Sequence, residues 1–510
     1  MKAGLLTLLV AAGLLGAPAT ASAAGPVVRT DAGPVRGTAE AGYRTFQGVP
    51  FAAPPVGPRR WRPPAAVQPW TAPRDATKPG IRCAQTAGAG KPSELEDCLY
   101  LTVTAPDAPS RRPRPVLVWL HGGGNTYGTA SDFDTHRLAV GGDVVVVSPN
   151  YRLSLFSNFG HPALAGAGDF GLLDQQAALR WVKRNAAAFG GDPGNVTLIG
   201  ESGGAFDVCG QLTSPSAQGL FQRAILHSGS CSTSWPANGM TDTLAAPLAP
   251  WRSKAEADTS GVALAAAHGC TDPATAVDCL RRVPAADLLA GVPVNVPITP
   301  LAYGTPTLPQ RPDRALADGN FHRVPVLTGT THDEARLTTG FIGRAFGPAE
   351  YHEQLVTSYG TRAAAIEARY PVSAYPSAKL AWSAVLTDSS WTCPQLADAA
   401  SMARRTPVHA FEFADPQAPP GYFPFPADFP PGAFHSSDMA YLFDVADFPV
   451  SFTPAQQRLA DTMIRSWAAF ARSGQAAWPR VPAAMVVKPD ASEVAEPARE
   501  HQCGFWLRGA

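Results

Sequence analysis

The sequence predicts an α/β protein built on a mostly parallel sheet with helices on both faces. Three observations carry that reading. The runs "PVLVWL" (115–120) and "DVVVVSPNY" (143–151) are nearly continuous apolar and β-branched residues, as strands buried on both faces require. Such runs alternate with stretches of helical periodicity, the pattern of a parallel sheet with crossover helices. With 510 residues, 45% of them hydrophobic, the chain has enough apolar material for a large core.

The N-terminus stands apart from that pattern. Lys2, the apolar run from Gly4 to Gly16 and the small residues Ala21-Ser22-Ala23 read as a secretory signal over residues 1–23, cut near Ala23 or Ala24. Residues 24–510 are expected to form one domain. No later segment offers about 18 uninterrupted apolar residues, so no membrane span is expected.

Further strands are expected at "NVTLIG" (195–200), "RAILHSG" (223–229), "VPVLTGT" (324–330) and "VHAFEFA" (408–414). Helices are expected at "LLDQQAALRWVKRNAAAF" (172–189) and "PAQQRLADTMIRSWAAFARSG" (454–474), the second stopped by Gly474. Lys plus Arg and Asp plus Glu both number 41, with no basic stripe or acidic tail. Nucleic-acid binding therefore has no electrostatic support.

An exported chain with an even number of cysteines favours disulfides, and no C-x-x-C pair suggests a metal. The eight are Cys83, Cys98, Cys209, Cys231, Cys270, Cys279, Cys393 and Cys503. Nearest-neighbour pairing gives 83–98, 209–231 and 270–279, leaving 393–503.

The stretch "TLIGESGGAF" (197–206) ends a buried strand in one serine between glycines. G-x-S-x-G between a strand and a helix is the nucleophile-elbow pattern. Glycine at 200 and 204 relieves the collisions of a turn sharp enough to expose the Ser202 hydroxyl. The motif alone also fits a structural turn. A second segment, His121-Gly122-Gly123-Gly124-Asn125, follows another buried strand and resembles an oxyanion loop. Backbone amides of Gly123 and Gly124, with that of Gly203 after the serine, could face a developing negative charge.

At this point the chain resembles the type-B carboxylesterases, the cholinesterase-like branch of the α/β hydrolases. Beyond the elbow, "TFQGVPFAAPPVGPRRWRPP" (45–64), "EDCLYLTV" (96–103), "GGDVVVVSPNYRL" (141–153), "GDFGLLDQQAALRWVKRNAAAFGGDPGNVTLIGES" (168–202), "LFQRAILHSGS" (220–230) and "HQCGFW" (501–506) follow in the family's order. The resemblance runs from about residue 26 to 507. It implies the α/β-hydrolase fold, with large loop and helical insertions over the active site. The family's habits agree with pairing Cys83 to Cys98, Cys270 to Cys279 and Cys393 to Cys503, while Cys209–Cys231 rests on the two cysteines left over.

The triad order in this fold is serine, then acid, then histidine. After Ser202 the strand at 324–330 runs into Asp333 and Glu334, and the residues alone do not choose between them. The family's motif makes Glu334 the acid, with Ala335 where glycine is usual. Of His352, His409, His435 and His501, only His435 sits on a Pro/Gly-rich loop, where a mobile base is expected. The family places its histidine there too, three residues before an acid, here Asp438. The resemblance implies that Ser202 attacks an ester carbonyl, His435 shuttles the proton and Glu334 orients the imidazole. No cofactor or metal is needed.

Several positions depart from the family. Gly203 replaces the usual alanine, Asn125 the common aromatic, and Asp207 and Cys209 sit where small neutral residues are ordinary. The loop "AQTAGAGKPSELED" between Cys83 and Cys98 is short, polar and without aromatics. It supplies neither the tryptophan of a cation cage nor an apolar lipase flap. The expectation is therefore a secreted serine esterase for small to medium esters. A lipase, a specialised ester or carbamate hydrolase, and a non-catalytic binding protein on the same fold are the alternatives.

Overall fold

Period-two alternation along the strands sets up two apolar layers, one on each side of a single large sheet. The structure is a computed structural model describing residues 25–507 apart from 87–90, 165–167, 242–243, 293–296 and 422. The segment read as a secretory signal lies outside the described residues, as does part of the loop between Cys83 and Cys98.

Eleven strands form the sheet. They are Thr38–Glu40 (β1), Tyr43–Pro50 (β2), Tyr100–Pro106 (β3), Arg114–Leu120 (β4), Val145–Pro149 (β5), Gly191–Glu201 (β6), Arg223–His227 (β7), Val326–Thr331 (β8), Val408–Phe413 (β9), Ala484–Val487 (β10) and Glu493–Ala495 (β11). Their spatial order is β11-β10-β9-β8-β7-β6-β4-β5-β3-β2-β1. Strands β4 to β10 run parallel. The outer strands pair antiparallel. This is the mostly parallel α/β sheet that the strand pattern predicts, in the α/β-hydrolase arrangement that the family resemblance implies.

Val116, Val118 and Leu120 of β4 share one core with Leu172 and Leu179 of helix α1 (Phe170–Asn185) and with Val208 and Leu212 of helix α2 (Gly203–Thr213). The intervening Leu117 and Trp119 face the other side, against Met463, Ile464 and Trp467 of helix α3 (Pro454–Ser473). Helix α3 begins with a reciprocal cap between Thr453 and Gln456 and ends at Gly474, whose φ is 73°, as the glycine stop requires. The stretch predicted as one helix over 172–189 instead closes as α1 and then tightens into a 3-10 turn, Ala186–Phe189, ended by left-handed Gly190. Loss of the full α-helical bond pattern in a last turn is common.

All eight cysteines are paired, as 83–98, 209–231, 270–279 and 393–503. Strand β6 lies in the middle of the sheet, between β4 and β7. Its carboxyl end is the place where ligands of open α/β sheets bind.

Candidate active site

Ser202 follows the last residue of β6 and turns the chain into α2 with φ 52° and ψ −119°. That positive-φ geometry is strained for a residue with a side chain. The glycines on either side make the turn possible. A Cβ at Gly200 would stand 2.3 Å from the Gly204 carbonyl oxygen, and one at Gly204 would stand 2.2 Å from the Leu120 carbonyl oxygen. Both obstacles are main chain and cannot swing aside. Gly204→Ala is therefore expected to destabilise the fold by about 1 to 3 kcal/mol, the usual cost of overpacking. Urea unfolding checks this, and an unchanged midpoint would remove the steric argument.

The turn aims Ser202 Oγ at His435 Nε2, 2.8 Å away. The other imidazole nitrogen, Nδ1, lies 2.5 Å from Glu334 Oε2. Glu334 is fixed in turn by the Thr331 amide, which donates to its Oε1 at 2.8 Å. Trp391 covers the imidazole, with ring centroids 4.5 Å apart. Asp333, the competing acid, turns the other way. Its carboxylate accepts from the Ala433 amide at 3.0 Å and pairs with Arg336 at 2.9 Å. Burial pushes the Asp333 carboxyl up, but His332 and Arg336 outweigh that and hold it below the usual range. The three other downstream histidines are engaged elsewhere: His352 with Glu367, His409 with the Trp478 carbonyl, and His501 between Asp388 and Glu412.

Burial draws the His435 imidazole down, yet the charge and hydrogen bond of Glu334, with Glu201 behind, leave it raised above 6.5. Glu201 is the contributor that sequence reasoning missed. It precedes the serine and reads as the last strand residue, but its Oε1 sits 3.4 Å from His435 Nε2 and accepts from the Ser436 hydroxyl. Burial pushes its carboxyl up to about 7. Asp438, three residues after the histidine, is not a partner of His435. It pairs with Nδ1 of His227 at 2.7 Å, and Trp467 donates to the other nitrogen of that ring. Register alone explains the position of His227, which lies opposite Glu201 on the neighbouring strand.

The glycine loop closes over the serine from β4. Gly123 and Gly124 have φ of 103° and 61°. A Cβ on Gly123 would stand 2.1 Å from the Tyr127 carbonyl oxygen, and one on Gly124 would stand 2.0 Å from that of Pro297. Gly203 is the first residue of α2, so its amide lies outside the helix's own hydrogen bonds. Gly122, Gly123, Glu201, Ser202 and His435 line a cavity of ≈ 270 Å³. Leu337, Phe423, Phe434, Met439, Val445 and Phe448 make its walls apolar, while Arg82, Lys91, Asp132 and Asp447 stand among its charged lining residues. These last four form the ion pairs Arg82–Asp132 and Lys91–Asp447.

A strained serine at the end of a central parallel strand, within reach of a histidine backed by a buried carboxylate, defines an α/β hydrolase. The chain belongs to the Carboxylesterase family, whose model matches residues 24–506. It is an enzyme of the class that hydrolyses carboxylic ester bonds. It is 33% identical to the para-nitrobenzyl esterase of Bacillus subtilis (strain 168), over 88% of this chain and 90% of that protein. It is 32% identical to the acylcarnitine hydrolase of Mus musculus, over 88% and 84%. It is also 32% identical to the fumonisin B1 esterase of Sphingopyxis macrogoltabida, over 89% and 84%.

Proposed function

We propose that the protein is a secreted carboxylesterase that hydrolyses small to medium esters through an acyl-enzyme on Ser202. The observation that carries this reading is the unbroken contact from Ser202 Oγ through His435 to Glu334 at the floor of an apolar cavity. Ser202 attacks the ester carbonyl while His435 Nε2 takes its proton. The same nitrogen protonates the leaving alcohol. Glu334 holds the proton of Nδ1 in place and stabilises the imidazolium. The amides of Gly123, Gly124 and Gly203 bind the oxyanion, each such donor being worth about 3 to 4 kcal/mol of barrier. Water then cleaves the acyl-enzyme with His435 as base. Export is supported by the leader-like residues 1–23 and by four disulfides. A single domain over 24–510 is supported by a sheet whose strands come from residues 38 to 495.

The test is hydrolysis of a p-nitrophenyl ester series from acetate to palmitate, with labelling by an alkyl phosphonate followed by peptide mass analysis. The expected result is fastest turnover on short and medium chains, with the phosphonate on Ser202. A maximum on the longest chains would replace the esterase by a lipase. Label on another residue would overturn the mechanism.

The base must be neutral to take the serine proton, so kcat/KM is expected to rise with pH through a limb above the ordinary 6.5 of histidine. Removing the negative charge of Glu201 weakens the imidazolium. Glu201→Gln is therefore expected to move that limb to lower pH. A limb that stays in place across pH 5 to 10 would show that Glu201 exerts no field on His435.

A further inference from the structure

Three departures from the family converge on one spot behind the serine. Asn125 ends the glycine loop in the left-handed region, with φ 59°. It is 4% exposed, and its Nδ2 donates to Asp207 Oδ1 at 2.8 Å. Asp207 stands on the same helix that begins at Ser202 and Gly203. Its second oxygen accepts from Gln175 Nε2 of α1 at 2.5 Å. Gln175 Oε1 accepts in turn from Gln211, one turn further along α2, at 3.0 Å. The third departure, Gly203, is where the loop and helix touch. A Cβ there would stand 2.6 Å from the Gly124 nitrogen and 3.0 Å from the Asn125 nitrogen.

We propose that Asp207 is a positioning residue for the reaction, tying the oxyanion loop through Asn125 to the helix that carries the nucleophile. The inference rests on the reading of Ser202 as nucleophile and of Gly123, Gly124 and Gly203 as oxyanion donors. Those donors sit on two separate elements, the loop after β4 and the first turn of α2. Their spacing is set by how the elements are held together. Oxyanion donors act only within about 2.7 to 3.1 Å of the charge they stabilise, and a misplacement of about 1 Å costs about 100-fold in rate. The Asn125–Asp207 bond crosses that junction directly, and the lack of a Cβ at Gly203 allows the close approach.

The loop has other anchors. The Ser154 amide donates to the Asn125 carbonyl at 2.7 Å, and the Thr299 amide donates to that of Gly124 at 2.8 Å. The first bond runs to the start of a short helix, Ser154–Ser157, and the second to a loop. Among the described residues, Asp207 alone links the loop to the serine's own helix through a side-chain hydrogen bond. It does so at a cost, because a carboxylate in a dry site is disfavoured unless its lone pairs are filled. Burial pushes the Asp207 carboxyl up to about 7, and the amides of Asn125 and Gln175 work against that. The other titratable groups that face it are the Tyr151 hydroxyl, which donates to the His121 carbonyl at 2.6 Å, and Asp169.

The experiment uses Asp207→Leu, Asp207→Asn and Asn125→Gly in the mature protein. Leucine keeps the branching of aspartate and removes the acceptor, and because its methyls are bulkier than the oxygens they replace, Tm is read beside the kinetics. Asparagine accepts from Gln175 and bonds to a flipped Asn125, so it is the conservative rescue. Glycine at 125 removes the donor at a φ it tolerates. The readouts are kcat and KM on p-nitrophenyl acetate, the inhibition constant of a trifluoromethyl ketone, whose adduct carries the oxyanion, and Tm. Asp207→Leu and Asn125→Gly are expected to lower kcat by about 10- to 100-fold, with KM little changed and ketone affinity falling in parallel. Asp207→Asn is expected to stay near wild type. If Asp207→Leu does not fold, Asn125→Gly decides the matter alone. Unchanged kcat and ketone affinity in folded Asn125→Gly would overturn the proposal, as would a lower Tm with ketone affinity intact. Ser202→Ala, run beside them, separates this inference from the one it rests on. Full turnover in Ser202→Ala would remove the nucleophile itself. Its loss together with a silent Asn125→Gly would remove only the anchor.

Discussion

Ser202→Ala is expected to lower kcat on p-nitrophenyl acetate by about 10⁶-fold, and His435→Ala by nearly as much. The two residues act as one unit across a 2.8 Å contact. Without the base the hydroxyl is a weak nucleophile, and without the hydroxyl the base has nothing to activate. The double variant is therefore expected to be no slower than either single one. A 10⁶-fold loss corresponds to about 8 kcal/mol of barrier. The donors of the glycine loop survive all three changes, so a residual rate of about 10³ to 10⁴ over the uncatalysed reaction is expected. Single-turnover and steady-state kinetics check this. Strictly additive losses in the double variant would mean that Ser202 and His435 serve separate steps.

The second large effect concerns stability. Replacing Cys393 and Cys503 by alanine is expected to cost far more than replacing Cys270 and Cys279. The first pair closes 110 residues of chain and the second closes 9. On the chain-entropy account these loops are worth about 4.8 and about 2.6 kcal/mol. The longer loop also holds the site. Cys393 continues a π-helical segment, Thr387–Thr392, whose Thr387 hydroxyl accepts from the Ala335 amide next to Glu334. In the same segment, Asp388 pairs with His501 near Cys503. Loss of the bond is thus expected to loosen the loop of the acid before the sheet melts. Urea unfolding of the two double variants, with turnover followed at each concentration, tests both parts. A smaller destabilisation for the 393–503 pair would show that the reduced chain keeps this segment together without the bridge.

The sheet and the elbow were readable from residues because each rests on a local cause. Strands buried on both faces must be apolar throughout, and "PVLVWL" and "DVVVVSPNY" have no other ready use. The glycines at 200 and 204 are demanded by main-chain atoms within a few residues or on the adjoining strand. The amphipathic helix at 454–473 carries its own start and stop signals in Thr453, Gln456 and Gly474. Loop chemistry likewise singled out His435.

Other parts of the site depend on contacts between residues far apart in the chain. Asp333 and Glu334 are adjacent, similar in chemistry and indistinguishable by pattern. The tertiary fold points one at His435 and the other at Arg336. Glu201 looked like the end of a strand until the loop of His435 folded over it. Asp438 stood in the sequence only as the acid three residues after His435, and parallel pairing of β6 and β7 delivers His227 to it. Asn125 and Asp207 stood out singly as departures, 82 residues apart, and nothing along the chain links them. The sequence determined the fold class, most strand and helix identities and the serine turn, because those follow from periodicity and glycine sterics, while the disulfide pairing followed from cysteine spacing and the family resemblance. Only the tertiary structure decided which carboxylate meets which imidazole or amide, because such pairs form where separate elements converge and their direction is set by packing.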